Sequence, residues 1–413
     1  MKKAIIAASV CLGTAPTGAL ALDWSLQSTQ TETIELNSNQ FLRSSQSPSV
    51  GSYSTITANA KARTPTSTFD FDADGTFRKY WGPGVEGIPS ESLNYGFKAR
   101  YEAIEKTRSD REFIETAWRQ QSTSLALLNQ LGIALPVNGF LDTLTASGGI
   151  DRSVSARDNL SLFATSTRTS YEPSSGGGTP FRDTVARGTW RHNFSPLTTG
   201  TLSSEVELLN YENATNTQIQ IYRNQVGVDV TLSPLLSFRG NIGAANVITE
   251  GGSNPLAGSG SLGSSASSAL MDWIGDAALT YRLLKNTTFS LLASQSVGPS
   301  AVGSLFKQDI VSASLNHSLN SRSSLSFFTS VNRQIATTTT DFISASASYS
   351  YSFTRDLSVQ LTYRYQHRFA SNGATSIVDP ITGFPTVSGL GPADSNSIML
   401  VVSNSYIILP RGN

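Results

Sequence analysis

Leu357-Ser-Val-Gln-Leu-Thr-Tyr-Arg-Tyr-Gln-His-Arg-Phe369 decides the fold. Leu357, Val359, Leu361, Tyr363, Tyr365, His367 and Phe369 alternate with Ser358, Gln360, Thr362, Arg364, Gln366 and Arg368. Successive side chains of a strand point to opposite faces, so this segment has one apolar face and one wet face. The alternation runs for 13 residues, whereas an ordinary strand has about 5–6 and a strand that crosses a bilayer needs about 9–11. A membrane barrel requires that length.

Working outward, short turns recur at Pro196, Pro234, Lys285, Arg322 and Arg355, which by subtraction lie 38, 51, 37 and 33 residues apart. Earlier members are Ser155–Asn159, Ser109–Asp110 and Thr64–Pro65. Each interval holds two strands and a connection on the opposite side, which is a hairpin repeat. The opposite connections are longer and rich in Gly, Ser and Pro: Pro173–Thr179, Gly251–Ser265 and Asn372–Asp394. Short turns on one side and long loops on the other are the asymmetry of outer-membrane barrels. The predicted fold is all-β, a closed antiparallel transmembrane β-barrel of about 18 strands within a range of 14–18. The second half is well patterned, whereas Glu102–Trp118 also reads as a helix. Ile343, Ala345, Ala347, Tyr349, Tyr351 and Phe353 are expected to face lipid, and Trp190, His192 and Phe194 to join a periplasmic aromatic belt.

Composition agrees. Charged residues make up 15% of the chain, against about 25% in an ordinary soluble domain, yet no apolar run approaches the 18 or more residues of a membrane helix. Lys2 and Lys3, the apolar Ala4–Leu12 and the Ala19-Leu20-Ala21 site read as a secretory signal over residues 1–21, leaving 22–413 as the barrel. The single cysteine, Cys11, falls inside the signal, so a disulfide framework and thiolate metal sites are not expected. Without Lys2 and Lys3, 30 − 2 = 28 basic residues face 30 acidic ones. That balance gives no footprint for nucleic acid.

Chemistry-bearing motifs are sparse. Asp70, Asp72, Asp74 and Gly75 open like a calcium loop, but the twelfth position, where a bidentate Glu belongs, is Trp81. Alternation with Phe69, Phe71, Ala73 and Phe77 favours a strand with one wet face. Gly258-Ser-Gly-Ser-Leu-Gly263 matches the dinucleotide fingerprint in letters, but lies in a Gly/Ser tract without the strand and helix that motif needs. His192, His317 and His367 fall on predicted lipid faces near strand ends. No serine stands in a nucleophile elbow. No catalytic, cofactor-binding or metal residue is assigned, and no cofactor is expected.

The functional candidates are charged residues on predicted inward faces: Lys98, Arg100, Glu102, Asp183, Arg187, Arg191, Glu205, Glu207, Asp229, Arg239, Asp272, Asp276, Arg282, Arg364 and Arg368. One reading pairs them across strands as a hydrated wall. The other sets Arg187 and Arg191 against Glu205 and Glu207 as a transverse field, since rings of charge set ion preference.

Ser155-Ala-Arg-Asp-Asn-Leu-Ser-Leu162, Phe353-Thr-Arg-Asp-Leu-Ser-Val-Gln-Leu361 and Ser395-Asn-Ser-Ile-Met-Leu400 resemble the β-barrel porins of proteobacterial outer membranes, some of them associated with exopolysaccharide systems. The resemblance runs from about Asp151 to Tyr406 and implies a Gram-negative outer-membrane location and a transport role. It departs from the family pattern at the end, where Ile407–Asn413 follow Tyr406 instead of the chain stopping on an aromatic. The expected function is passive passage of small hydrophilic solutes or saccharides through a porin-like channel. The alternative is an outer-membrane component of polysaccharide export or surface anchoring without an open pore. A barrel enzyme is the least favoured reading. Expected partners are outer-membrane lipid and the barrel-assembly machinery, with a homotrimer and periplasmic export partners left open.

Overall fold

The computed structural model describes residues 23–42, 46–85, 89–105, 110–123, 139–172, 178–212, 216–250, 268–299, 305–335, 339–370, 377–378, 385–387 and 391–409. The expected signal sequence and the Gly258–Gly263 motif lie outside them.

Among the described residues there are twenty strands: β1 (Asp23–Asn37), β2 (Ser49–Arg63), β3 (Ser67–Trp81), β4 (Glu91–Glu105), β5 (Asp110–Ser122), β6 (Phe140–Ser153), β7 (Asp158–Glu172), β8 (Phe181–Ser195), β9 (Thr198–Tyr211), β10 (Gln218–Ser233), β11 (Leu236–Glu250), β12 (Ser268–Leu284), β13 (Thr287–Pro299), β14 (Leu305–Ser318), β15 (Ser323–Ile335), β16 (Thr339–Ser352), β17 (Leu357–Arg368), β18 (Ile377–Val378), β19 (Pro385–Val387) and β20 (Ala393–Leu409). Eighteen of them form one antiparallel sheet in which each barrel strand pairs with its sequence neighbours. β1 pairs with β2 on one side and β20 on the other, which closes the ring. Closure leaves no free edge strand in the ring, and in lipid an unpaired edge would leave backbone groups without partners. β18 and β19 form a separate ribbon between β17 and β20, in a stretch expected to be loop alone.

The 102–118 stretch is strand, not helix: β4 runs to Glu105 and β5 starts at Asp110. Its alternation is blurred because Phe113 sits on the same face as Arg100, whose guanidinium lies 4.1 Å from the ring centroid. Near the C-terminus β20 continues through Ile407 and Ile408 to Leu409, so Tyr406 does not end the strand.

The side-chain pleat separates two walls. Exposed Leu361, Tyr363, Tyr349, Phe327, Val331 and Val311 fall on one face of β14–β17 by register and define the outer wall. Large apolar groups left exposed in such number suit contact with acyl chains. Trp190, His192 and Phe194 lie together on the outer wall beside the short turn after β8, and Tyr351 meets Phe353 edge-on beside the turn after β16. His367 and Phe369 make a matching edge contact at the opposite end of β17. These clusters occupy the levels where amphipathic rings meet headgroups.

At the long-loop end the ring is not a plain cylinder. β12 and β13 stay paired only from Leu284↔Thr287 to Gly275↔Gln295, although β12 continues to Ser268 along β11 and β13 continues to Pro299 along β14. Val297 and Leu305 belong to the outer-wall face of their strands. They are nevertheless buried in one cluster with Leu209, Tyr211, Ile219, Ile221, Ala245, Val247 and Ile274, which line the inner wall of β9–β12. Residues 297–299 of β13 and 305–307 of β14 therefore lie inside the barrel, their outer face laid on the inner face of the neighbouring strands.

Candidate functional site: the inner wall

All fifteen charged candidates share the inner face, opposite the exposed apolar side chains of their own strands. Lys98, Arg100 and Glu102 alternate with outward Tyr95, Phe97 and Tyr101 on β4. Arg100 bonds Glu102 at 3.1 Å and Glu115 at 3.2 Å, while Lys98 lies 3.5 Å from Glu115. Arg111 extends this network to Glu102 and Asp151. The three aspartates of β3 are each held by a neighbouring side chain: Asp70 by Lys61 at 2.8 Å, Asp72 by Asn59 at 2.5 Å and Asp74 by Arg119 at 2.7 Å.

A second network occupies β8–β10. Arg187 and Glu205 are cross-strand partners in register and form an ion pair. Arg223, opposite Glu205 on the other side, bonds both Glu205 and Glu207. The two acids are therefore neutralised by contact along the wall, which replaces the expected transverse field with local ion pairs. Sequence reasoning passed over Arg223, although strict alternation from Ile219 and Ile221 places it on the inner face. Asp183 lies opposite Leu209, and Arg191 is exposed opposite Thr201.

Elsewhere Asp229 and Arg239 form an exposed pair at 3.3 Å, and Asp276 accepts from Asn241 Nδ2 at 3.0 Å. Arg282 is exposed. Asp272 pairs with Lys307 at 2.9 Å, which fastens the inturned hairpin to β12. Arg223 Nη2 adds a second fastening, donating to the Val297 carbonyl at 2.8 Å. Lys307 was not among the candidates because its alternation puts it on the outer wall; only the parting of β12 from β13 brings it inside.

Under β1 and β17, Arg364 bonds buried Glu35 at 3.0 Å, and Glu35 also accepts from the Tyr53 hydroxyl and from Asn37. Arg368 Nη2 donates to the Gly391 carbonyl at 3.2 Å. Glu35, Tyr53, Arg78, Gln334, Arg364 and Gln366 help line a recess of about 550 Å³ on this side of the lumen.

The three histidines lie on the outer wall. His192 and His367 each bond an aspartate, Asp158 at 2.8 Å and Asp394 at 2.7 Å, and His317 bonds the Thr287 hydroxyl at 2.7 Å. Ser155 donates to Asp158, not to the imidazole of His192, so the contacts lack the order a nucleophilic serine needs.

A closed barrel of 18 antiparallel strands, apolar outside and charged inside, defines an outer-membrane β-barrel of Gram-negative type. No family model matches the chain, and no curated protein sequence matches it. Among solved structures, the FrpB iron transporter of Neisseria meningitidis in its apoprotein form is similar at a TM-score of 0.50 and 7% identity, over 93% of this chain and 81% of that one. OprD of Pseudomonas aeruginosa gives 0.46 and 11%, over 94% and 96%, and OccAB4 of Acinetobacter baumannii 0.45 and 11%, over 95% and 100%. At these identities the likeness is one of fold.

Proposed function

We propose that the barrel is a porin-like channel that passes small hydrophilic solutes or saccharides passively, lined by those of the fifteen inward charges that stay exposed or half-buried, while Glu205, Glu207 and Arg368 are buried in its wall. The observation that carries this reading is the contrast between the walls. Charged and amide side chains follow the inner face around the ring, whereas a barrel serving only as an anchor needs no such hydrated surface. Eighteen strands also give an interior wide enough for water. Contact pairing leaves the wall with short-range dipoles, so selectivity falls to groups that stay exposed, such as Arg191. Size exclusion at the inturned β13–β14 hairpin supplies the rest.

The reading is tested by swelling of liposomes that contain the refolded chain, using sugars of increasing size. Swelling that falls off with sugar size is expected, and no swelling with the smallest sugar overturns the proposal. In a salt gradient, Arg191→Glu should move the reversal potential toward cation preference. An unmoved potential removes Arg191 from the lining.

A further inference from the structure

We propose that the outer face of β1 and β2 is a docking surface for a second copy of this chain, within the membrane and about a two-fold axis along the membrane normal. On β1 the outward residues run Trp24, Leu26, Ser28, Gln30, Glu32, Ile34, Leu36. Trp24, Ile34 and Leu36 are exposed, as a lipid-facing wall requires, yet a polar group lies between them at mid-strand. Glu32 accepts from Gln30 Nε2 at 3.1 Å and from Ser54 Oγ at 2.6 Å, and both partners are on the same outer face. Ser52 stands opposite Ile34 and Asn404 opposite Gln30, which widens the patch across β2 and β20. Acyl chains offer such groups no hydrogen bonds, so a carboxyl at this level is unfavourable unless protein covers it.

A second observation lies next to the patch. The outer wall falls to small side chains at Ala58 and Ala60 on β2 and at Ala73 and Gly75 on β3, with Ala58 paired to Ala73, Ala60 opposite Phe71 and Gly75 opposite Ile56. A Cβ added at Gly75 would meet nothing within 4 Å, so neither backbone nor packing within the barrel demands glycine there. Small residues beside hydrogen-bonding ones allow close approach, which is how surfaces associate in lipid, where apolar burial supplies little drive.

Depth selects the occupant. Copies inserted in one direction are related by an axis along the membrane normal, so each residue meets the other copy at its own level. Glu32, Gln30 and Ser54 then meet Glu32, Gln30 and Ser54. The set carries both donors and acceptors, which suits the self-complementary contact of a two-fold dimer.

The test uses a Cys11→Ser chain in lipid vesicles, with Ser54→Cys as its one thiol. Oxidation should convert most of the protein to a cross-linked dimer, while Ile242→Cys, exposed on the outer wall of β11, should stay monomeric. Replacing Gln30 and Glu32 together by Leu should halve the native mass in mild detergent without changing the heat-dependent gel mobility of the folded barrel. A monomer with no Ser54→Cys cross-link overturns the proposal, as does a trimer or larger assembly, or equal cross-linking at Ile242→Cys. None of these outcomes depends on whether the lumen conducts.

Discussion

Glu205 shows at the scale of one residue how the wall tolerates its charges. It is 6% exposed and lies between Arg187 and Arg223, with Glu207 sharing Arg223. Removing one partner of a buried ion pair leaves an uncompensated charge and typically costs about 3–5 kcal/mol, whereas exposed pairs contribute about 0–1 kcal/mol. Arg223→Met, which leaves buried Glu207 without its ion-pair partner, should therefore lower stability by roughly 3 kcal/mol. Asp229→Asn, which breaks the exposed pair with Arg239, should change it by less than about 1 kcal/mol. Denaturant unfolding in micelles, followed by tryptophan fluorescence, measures both. Equal effects would mean that Glu205 and Glu207 are not desolvated as their burial implies.

At the scale of the element, two features carry predictions. The end of the β13–β14 hairpin is held inside by Lys307–Asp272 and by Arg223 on the Val297 carbonyl. Lys307→Met should loosen it and raise single-channel conductance, and an unchanged conductance would show that the hairpin does not narrow the path. Gly243 has a different constraint: a Cβ there would collide with the Asn224 carbonyl oxygen on β10. Gly243→Val should thus reduce the yield of folded, heat-modifiable barrel, while Gly75→Val should not. The strands themselves were legible because a lipid wall and a water wall impose period-two alternation, as along Leu357–Arg368. Legibility failed where both faces are apolar. Leu208-Leu209 and Val247-Ile248 carry lipid-facing residues beside ones buried under the hairpin, and no alternation in β13 or β14 reveals that those strands turn inward. Glu102–Trp118 failed for the related reason that Ile104 and Phe113 lie on the inner face.

For the whole molecule, alternation also placed all fifteen candidate charges on one wall, because a pleat needs only parity to assign a face. Which charges touch depends on strand stagger, which parity does not encode, and so Arg223 and the contact between Arg187 and Glu205 emerge only from the register. The assembled ring encloses a charged surface that lipid never reaches, and a channel role requires that interior to be a water-filled path. Single-channel recording of the refolded chain in a planar bilayer tests this most directly. Discrete, reproducible conductance steps are predicted; bilayers that stay silent while holding correctly folded, heat-modifiable barrels would contradict it.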